Sequence, residues 1–144
     1  MLVQAAETRF QRGLAALGDG RGLEALALFE AALELDRRLA SRTPQARYLS
    51  FYGLALARDG HHVREGADFC RQAIDLEFFN ADLFWNYGRV LLLAERRKEA
   101  FAVFVKGLSV QKNHQEILKE LDPNFTPPEA EQEQSSEGPS GGGD

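Results

Sequence analysis

Few residues in this chain are of types that do chemistry, and their spacing decides what they can do. His61 and His62 are adjacent, with Glu65 close by, and His114 stands far along the chain. Imidazole and carboxylate are metal ligands, but a metal needs three or four of them converging. Adjacent residues in a turn point different ways, so the pair reads as solvated turn histidines. His114 reads as the start of a short helix. The single Cys70 cannot form an internal disulfide, which fits a reducing compartment. It stands where an aromatic would otherwise be buried, so a small core thiol of low reactivity is expected. Gly18-Asp19-Gly20 and Asp59-Gly60 lack the lysine and spacing of a phosphate-cradling loop and read as inter-helix turns. There is no nucleophile–base set and no zinc spacing. The expectation is a non-enzymatic protein with no cofactor and no metal.

What remains is surface chemistry. "FWNYGRVLLLAE", residues 84–95, holds the only tryptophan, with Asn86 and Arg89 set among apolar residues. Such a segment is either a core plug or a helix with one packed and one binding face.

The elements that must position these residues are helical. The 144-residue chain is 44% hydrophobic and 27% charged, the mix of an ordinary globular domain. No apolar run reaches the roughly 18 residues of a membrane span. The N-terminal segment interleaves Glu7, Arg9 and Arg12 with its apolar residues, unlike a signal peptide, so a cytoplasmic location is expected. From Asp122 onward there are six acids and no Lys or Arg, whereas residues 1–121 carry 17 basic and 16 acidic side chains. The acidity therefore belongs to the tail. The near-neutral body makes no electrostatic case for nucleic acid or anionic lipid. Residues 122–144, rich in Pro, Glu, Ser and Gly, cannot offset their ordering entropy by burial, so a disordered acidic tail is expected.

Between these ends the apolar residues recur at three- and four-residue steps, as in "LEALALFEAALELDRRLA", the pattern of amphipathic helices. No sustained alternation suggests a strand. The helical stretches repeat. Gly13 is followed by Ala25, Phe29, Ala32 and Leu35 at offsets 12, 16, 19 and 22; Gly88 is followed by Ala100, Phe104, Gly107 and Val110 at the same four. Gly53 is followed by Gly66, Cys70, Ala73 and Leu76, each one residue later, the extra residue falling in "DGHHVREG". Small residues on two facing helices permit close approach, and Phe29 or Phe104 fills the space left over. A mid-helix glycine costs about 0.5–1 kcal/mol relative to Ala, so its recurrence points to packing.

This pattern resembles the tetratricopeptide repeat, a helix–turn–helix unit, in three copies over about Ala6 to Lys112. The resemblance implies an all-α solenoid: three repeats in a right-handed superhelix plus a capping helix, seven helices in all. The expected domain is residues 1–121, with repeats at about 6–40, 46–80 and 81–112 and a capping helix at about 114–121. The family's repeat-ending proline is replaced by Arg37, Phe78 and Lys112, so the second helices are expected to run on, the first to about Ala40. Thr43 with Pro44 should then open the next helix. Asn80 should cap the third repeat, and Asn113 with Glu116 has capping-box-like spacing. Ile117, Leu118 and Leu121 should close the end of the stack.

In this family the first helices line a concave groove. Carried over position by position, Glu7, Phe10, Gln11, Leu14, Leu17 and Gly18 would face it from the first repeat. Arg47, Ser50, Phe51, Leu54, Ala57 and Arg58 would follow from the second, and Asp82, Trp85, Asn86, Arg89, Leu92 and Leu93 from the third. The expected partner-binding set is Phe10, Leu14, Leu17, Arg47, Phe51, Leu54, Arg58, Trp85, Asn86 and Arg89: an apolar, aromatic groove rimmed by arginine, suited to a peptide or amphipathic helix of another protein. The competing reading makes Phe10, Phe51 and Trp85 core residues. Chaperone-binding members of the family clamp a carboxylate pair with Lys, Asn and Arg, where this chain has Phe10, Leu14, Phe51, Asp82 and Asn86, so that clamp is absent. The resemblance thus implies an adaptor or scaffold. The alternative is a small chaperone that holds a cargo segment, as in bacterial secretion systems. Self-association through the first helix or the groove is a third expectation.

Overall fold

The computed structural model describes residues 1–39 and 43–125. Within them the chain forms seven helices and no strand: α1 (Leu2–Gly18), α2 (Gly22–Arg37), α3 (Ala46–Arg58), α4 (Val63–Leu76), α5 (Ala81–Leu93), α6 (Arg97–Val110) and α7 (Gln115–Leu121). Neighbouring helices pair as α1 with α2, α3 with α4 and α5 with α6. The pairs stack through α2 on α3, α3 on α5 and α4 on α5, and α7 closes against α6.

The recurrent small residues make the pairing possible. A Cβ on Gly13 would stand 2.5 Å from the Phe29 ring, and one on Gly88 would collide with the Phe104 ring. Phe29 and Phe104 are fully buried. The middle pair is closed differently. Cys70 fills less space, and the helices approach until a Cβ on Gly53 would lie 2.6 Å from the Gly66 carbonyl oxygen. Here backbone meets backbone where the other two pairs place a ring.

The turns explain the extra residue of the middle repeat. Each first helix ends in a backbone bond that wraps the turn: Arg21 N–H donates to Ala16, Arg96 N–H to Leu91 and His62 N–H to Leu56. The last spans one residue more. Each turn places one residue in the left-handed region, Gly20 (φ 78°), His61 (φ 59°) and Glu95 (φ 61°), which only glycine adopts without steric cost.

Several boundaries differ from expectation. The second helices do not run on: they stop at Arg37, Leu76 and Val110. Ala40 lies outside the described residues. Thr43 and Pro44 do not open α3, whose N-cap is Gln45. The buried Asp36 holds that start instead, its carboxylate accepting the Gln45 N–H at 3.0 Å. Asn80 caps α5 as expected, accepting from Asp82 N–H. The cap of α7 is His114 rather than Asn113, its Nδ1 accepting the Ile117 N–H at 3.2 Å. Ile117 is fully buried and Leu121 packs on the same cluster, as a stack-closing helix requires. Asp122–Phe125, expected to be disordered, form a turn in which Phe125 N–H donates to Asp122 at 2.9 Å. The rest of the expected tail, 126–144, lies outside the described residues.

Candidate protein-binding face

The face in question belongs to α1, α3 and α5. Each is a first helix with its partner helix behind it. α3 also has neighbours on both sides, and α5 has α3 on one side and α7 on the other. On α3 and α5 the residues that point sideways are buried and a narrow stripe remains open, whereas α1, at the end of the stack, keeps a broader exposed face.

Three of the ten expected site residues are sideways residues and are corrected to core: Phe10, Leu54 and Asn86. Phe10 packs on Tyr48 and Phe51 of α3, with ring centroids 4.8 and 5.7 Å apart. Leu54 joins Ala57, Cys70 and Val90. Asn86 is fully buried and donates to Ser50 Oγ at 2.9 Å. The other seven stay at least partly accessible. Leu14, Leu17 and Phe51 are half-buried on the core. Arg47 is half-buried, its guanidinium 5.0 Å from the Phe10 ring, and Arg58 is exposed beside Asp59. Trp85 and Arg89 are half-buried.

Two polar clusters organise this face. At its first-repeat end, Glu7 accepts hydrogen bonds from Arg47, Tyr48 (2.8 Å) and Gln11 (2.7 Å). Burial raises the Glu7 carboxyl, but these three hydrogen bonds outweigh it and hold it below the ordinary carboxylate value. Burial and the Glu7 contact push the Tyr48 phenol up, so it stays a donor.

At the other end, Ser50, Asn86 and Arg89 form a chain. Arg89 Nη2 donates to Asn86 Oδ1 at 2.5 Å, and its guanidinium lies 3.6 Å from the Trp85 ring centroid. Burial lowers the Arg89 pKa to about 10; Glu120 opposes that shift and Arg58 adds to it. Trp85 Nε1 donates to Glu120 Oε1 at 3.4 Å. Beside them is a hollow of about 300 Å³, lined by Leu54, Arg58, Arg89, Leu92, Leu93 and Glu120. Glu120 escaped sequence reasoning because its place depends on α7 folding back toward α5, and local periodicity says nothing of that.

Of the remaining candidates for chemistry, Cys70 and His114 are held by contacts of the fold. Cys70 is fully buried, donates to the Ser50 carbonyl at 3.6 Å and has its thiol pushed up to about 12 by burial. His61 and His62 are exposed. Asp82, His114 and Glu116 bring ligand-type atoms within 4.8 Å of one another. Both His114 nitrogens are already engaged, however, Nδ1 by Ile117 N–H and Nε2 by Asp82 Oδ1 at 2.6 Å. The ring therefore stitches α7 to α5 and has no free lone pair for a metal. Among the described residues no helix is long and apolar enough to cross a membrane.

No family model matches the chain, and no curated protein matches it. Solved structures do. A tetratricopeptide-repeat domain of OM64 from Arabidopsis aligns with TM-score 0.66 at 19% identity, over 87% of this chain and 100% of that one. The Sgt2 domain from Aspergillus fumigatus gives 0.66 at 17%, over 93% and 83%. The first such domain of Spaghetti (RPAP3), solved with an HSP90 peptide, SRMEEVD, gives 0.65 at 16%, over 92% and 94%. At these identities the likeness is one of fold.

Proposed function

We propose, from the premise that this chain has the tetratricopeptide-repeat fold, that it is a non-enzymatic protein-interaction module, an adaptor or scaffold. On this reading it binds a peptide or amphipathic helix of a partner protein along the face of α1, α3 and α5. The observation that supports it most is the open stripe itself. Half-buried Phe51 and Trp85, exposed Leu93 and the arginines at 47, 58 and 89 lie along α3 and α5, whose other sides are packed. Aromatic and arginine side chains set on a rigid scaffold are the usual anchors of a protein interface. The structural relative solved with SRMEEVD is consistent with a peptide on such a fold. Its acidic tail motif is not carried over, because Phe10, Leu14, Phe51, Asp82 and Asn86 stand where this chain would need the clamp.

The test uses exposed positions. Arg58→Glu and Leu93→Glu should leave the thermal midpoint nearly unchanged and remove a partner from affinity capture. Unchanged capture by both variants would sink the reading. The chaperone alternative uses the same face and differs in consequence: a cargo protein would aggregate or be degraded when this chain is deleted, whereas an adaptor's partner would persist.

A further inference from the structure

The polar and ring contacts that Trp85 makes beyond α5 come from one short element. Its indole N–H donates to Glu120 at 3.4 Å, and its ring centroid lies 6.0 Å from that of His114. Glu120 belongs to α7 and His114 is the cap of α7. Glu120 also brings its charge to Arg89, whose guanidinium lies over the same indole, and it forms part of the wall of the hollow there. α7 thus covers the one tryptophan of the candidate face.

The hold of α7 on the fold is slight. It has seven residues, fewer than the roughly 12–15 that an isolated helix needs to persist in water, so it is helical only while docked. Ile117 is its one buried residue, against nine in α3 and seven in α5. That side chain seats in the gap left by Gly107, where a Cβ would stand 2.5 Å from Ile117 Cδ1. The start of α7 hangs on a single side chain: His114 Nδ1 accepts the Ile117 N–H at 3.2 Å, and Nε2 meets Asp82 Oδ1 at 2.6 Å. The link from α6, residues 111–113, is exposed. Few buried apolar contacts and an exposed link are the marks of a segment that opens before the rest of a fold.

We propose that α7 is a lid on Trp85. It undocks as a unit about the link 111–113 while α1 to α6 stay folded. Each opening frees the indole N–H and withdraws Glu120 from Arg89. Closed, the lid keeps Trp85 half-buried; open, it offers a partner the whole indole with Arg89 beside it. The use of the lid in recognition rests on the reading of α1, α3 and α5 as the binding face, whereas the opening itself does not.

Hydrogen exchange in the full chain tests the lid with no partner present. The amides of Ile117, Leu118 and Asp122 are hydrogen-bonded within α7 or at its ends. Corrected for intrinsic rates, they should exchange about tenfold or more faster than the most protected amides of α3. His114→Ala removes both the cap and the bond to Asp82. It should speed those α7 amides about tenfold and the Trp85 indole N–H by the same factor, while α3 keeps its wild-type rates. His114→Asn, which keeps an acceptor at the cap, should recover part of the protection. Amides of α7 that exchange no faster than those of α3 would make α7 an inseparable part of the fold and overturn the proposal. An indole N–H indifferent to His114→Ala would also overturn it, because α7 would then open without uncovering Trp85. So would α3 amides accelerated as much as those of α7. Equal acceleration by the Ala and Asn variants would overturn the cap as the latch. A failed capture experiment leaves the lid standing, and a failed exchange experiment leaves the binding face standing.

Discussion

The two junctions between repeats share apolar packing and differ in the polar groups set within it. Where the first repeat meets the second, Phe10, Phe29, Tyr48 and Phe51 form one aromatic cluster with centroids 4.8–5.9 Å apart. Its polar element, Glu7 with Arg47 and Tyr48, sits at the edge. Where the second meets the third, Ser50, Asn86 and Arg89 run through the interface, with the Cys70 thiol on the Ser50 carbonyl. One substitution of type accompanies the difference: the ring at position 29 of the first repeat is a thiol at position 70 of the second. Apolar surface stabilises the first junction. In the second, each polar group depends on the next, and the chain ends at the Arg89 guanidinium, whose buried Nε has no acceptor among the described residues. On the proposed reading the first junction is the main anchor of the stack and the second is the recognition end, with Leu54 and Val90 giving the second its own apolar contact.

The comparison breaks most visibly at Phe10. Phe10→Ala should cost about 3–5 kcal/mol, the price of a large buried cavity, read as a lower midpoint in urea. A loss below about 1 kcal/mol would mean the cluster collapses freely and is no anchor. Asn86→Ala should cost about 1–3 kcal/mol, because it removes the donor to Ser50 and the acceptor for Arg89 while both stay buried. If Asn86→Ala proves harmless, water already satisfies those groups and the second junction is not a dependent chain.

Acid should act on the first junction. The Glu7 carboxyl is held below its ordinary value, so its contribution is present above the unfolded value of about 4.3 and is lost as pH falls through the folded value. Below about pH 4 wild type should lose stability faster than Glu7→Gln, and parallel curves would remove Glu7 from the account. The smallest effect lies in the turns. His61→Gly should stabilise by about 1 kcal/mol or less, the relief of a left-handed residue's cost of about 1–2 kcal/mol being partly offset by glycine's greater loss of chain freedom on folding, while Gly20→Ala should destabilise. Thermal melts of the pair check the sign.

The helix pairs were visible in the sequence because the small residues that let helices touch recur at fixed offsets. Gly13 opposite Phe29 and Gly88 opposite Phe104 are local facts of spacing. The lateral packing was not visible. Periodicity places Asn86 one turn from Arg89 on one face, and only the stacked α3 shows that Asn86 is interior while Arg89 reaches the hollow. Phe10 and Leu54 were misassigned for the same reason. Glu120 was missed because α7 must first fold back. The start of α3 was misplaced because Asp36, nine residues earlier, holds it in place of the local Thr43–Pro44 signal.

Which face meets a partner is the claim on which the rest turns. Leu93 lies on the α5 face and is 44% exposed, while Val105, on α6, is 58% exposed, so both accept a photoactivatable phenylalanine without disturbing the core. Irradiation in cell extract, with adducts identified by mass, compares the two directly. The account predicts a protein adduct from position 93 and none of the same protein from position 105. An adduct formed from 105 alone would contradict it.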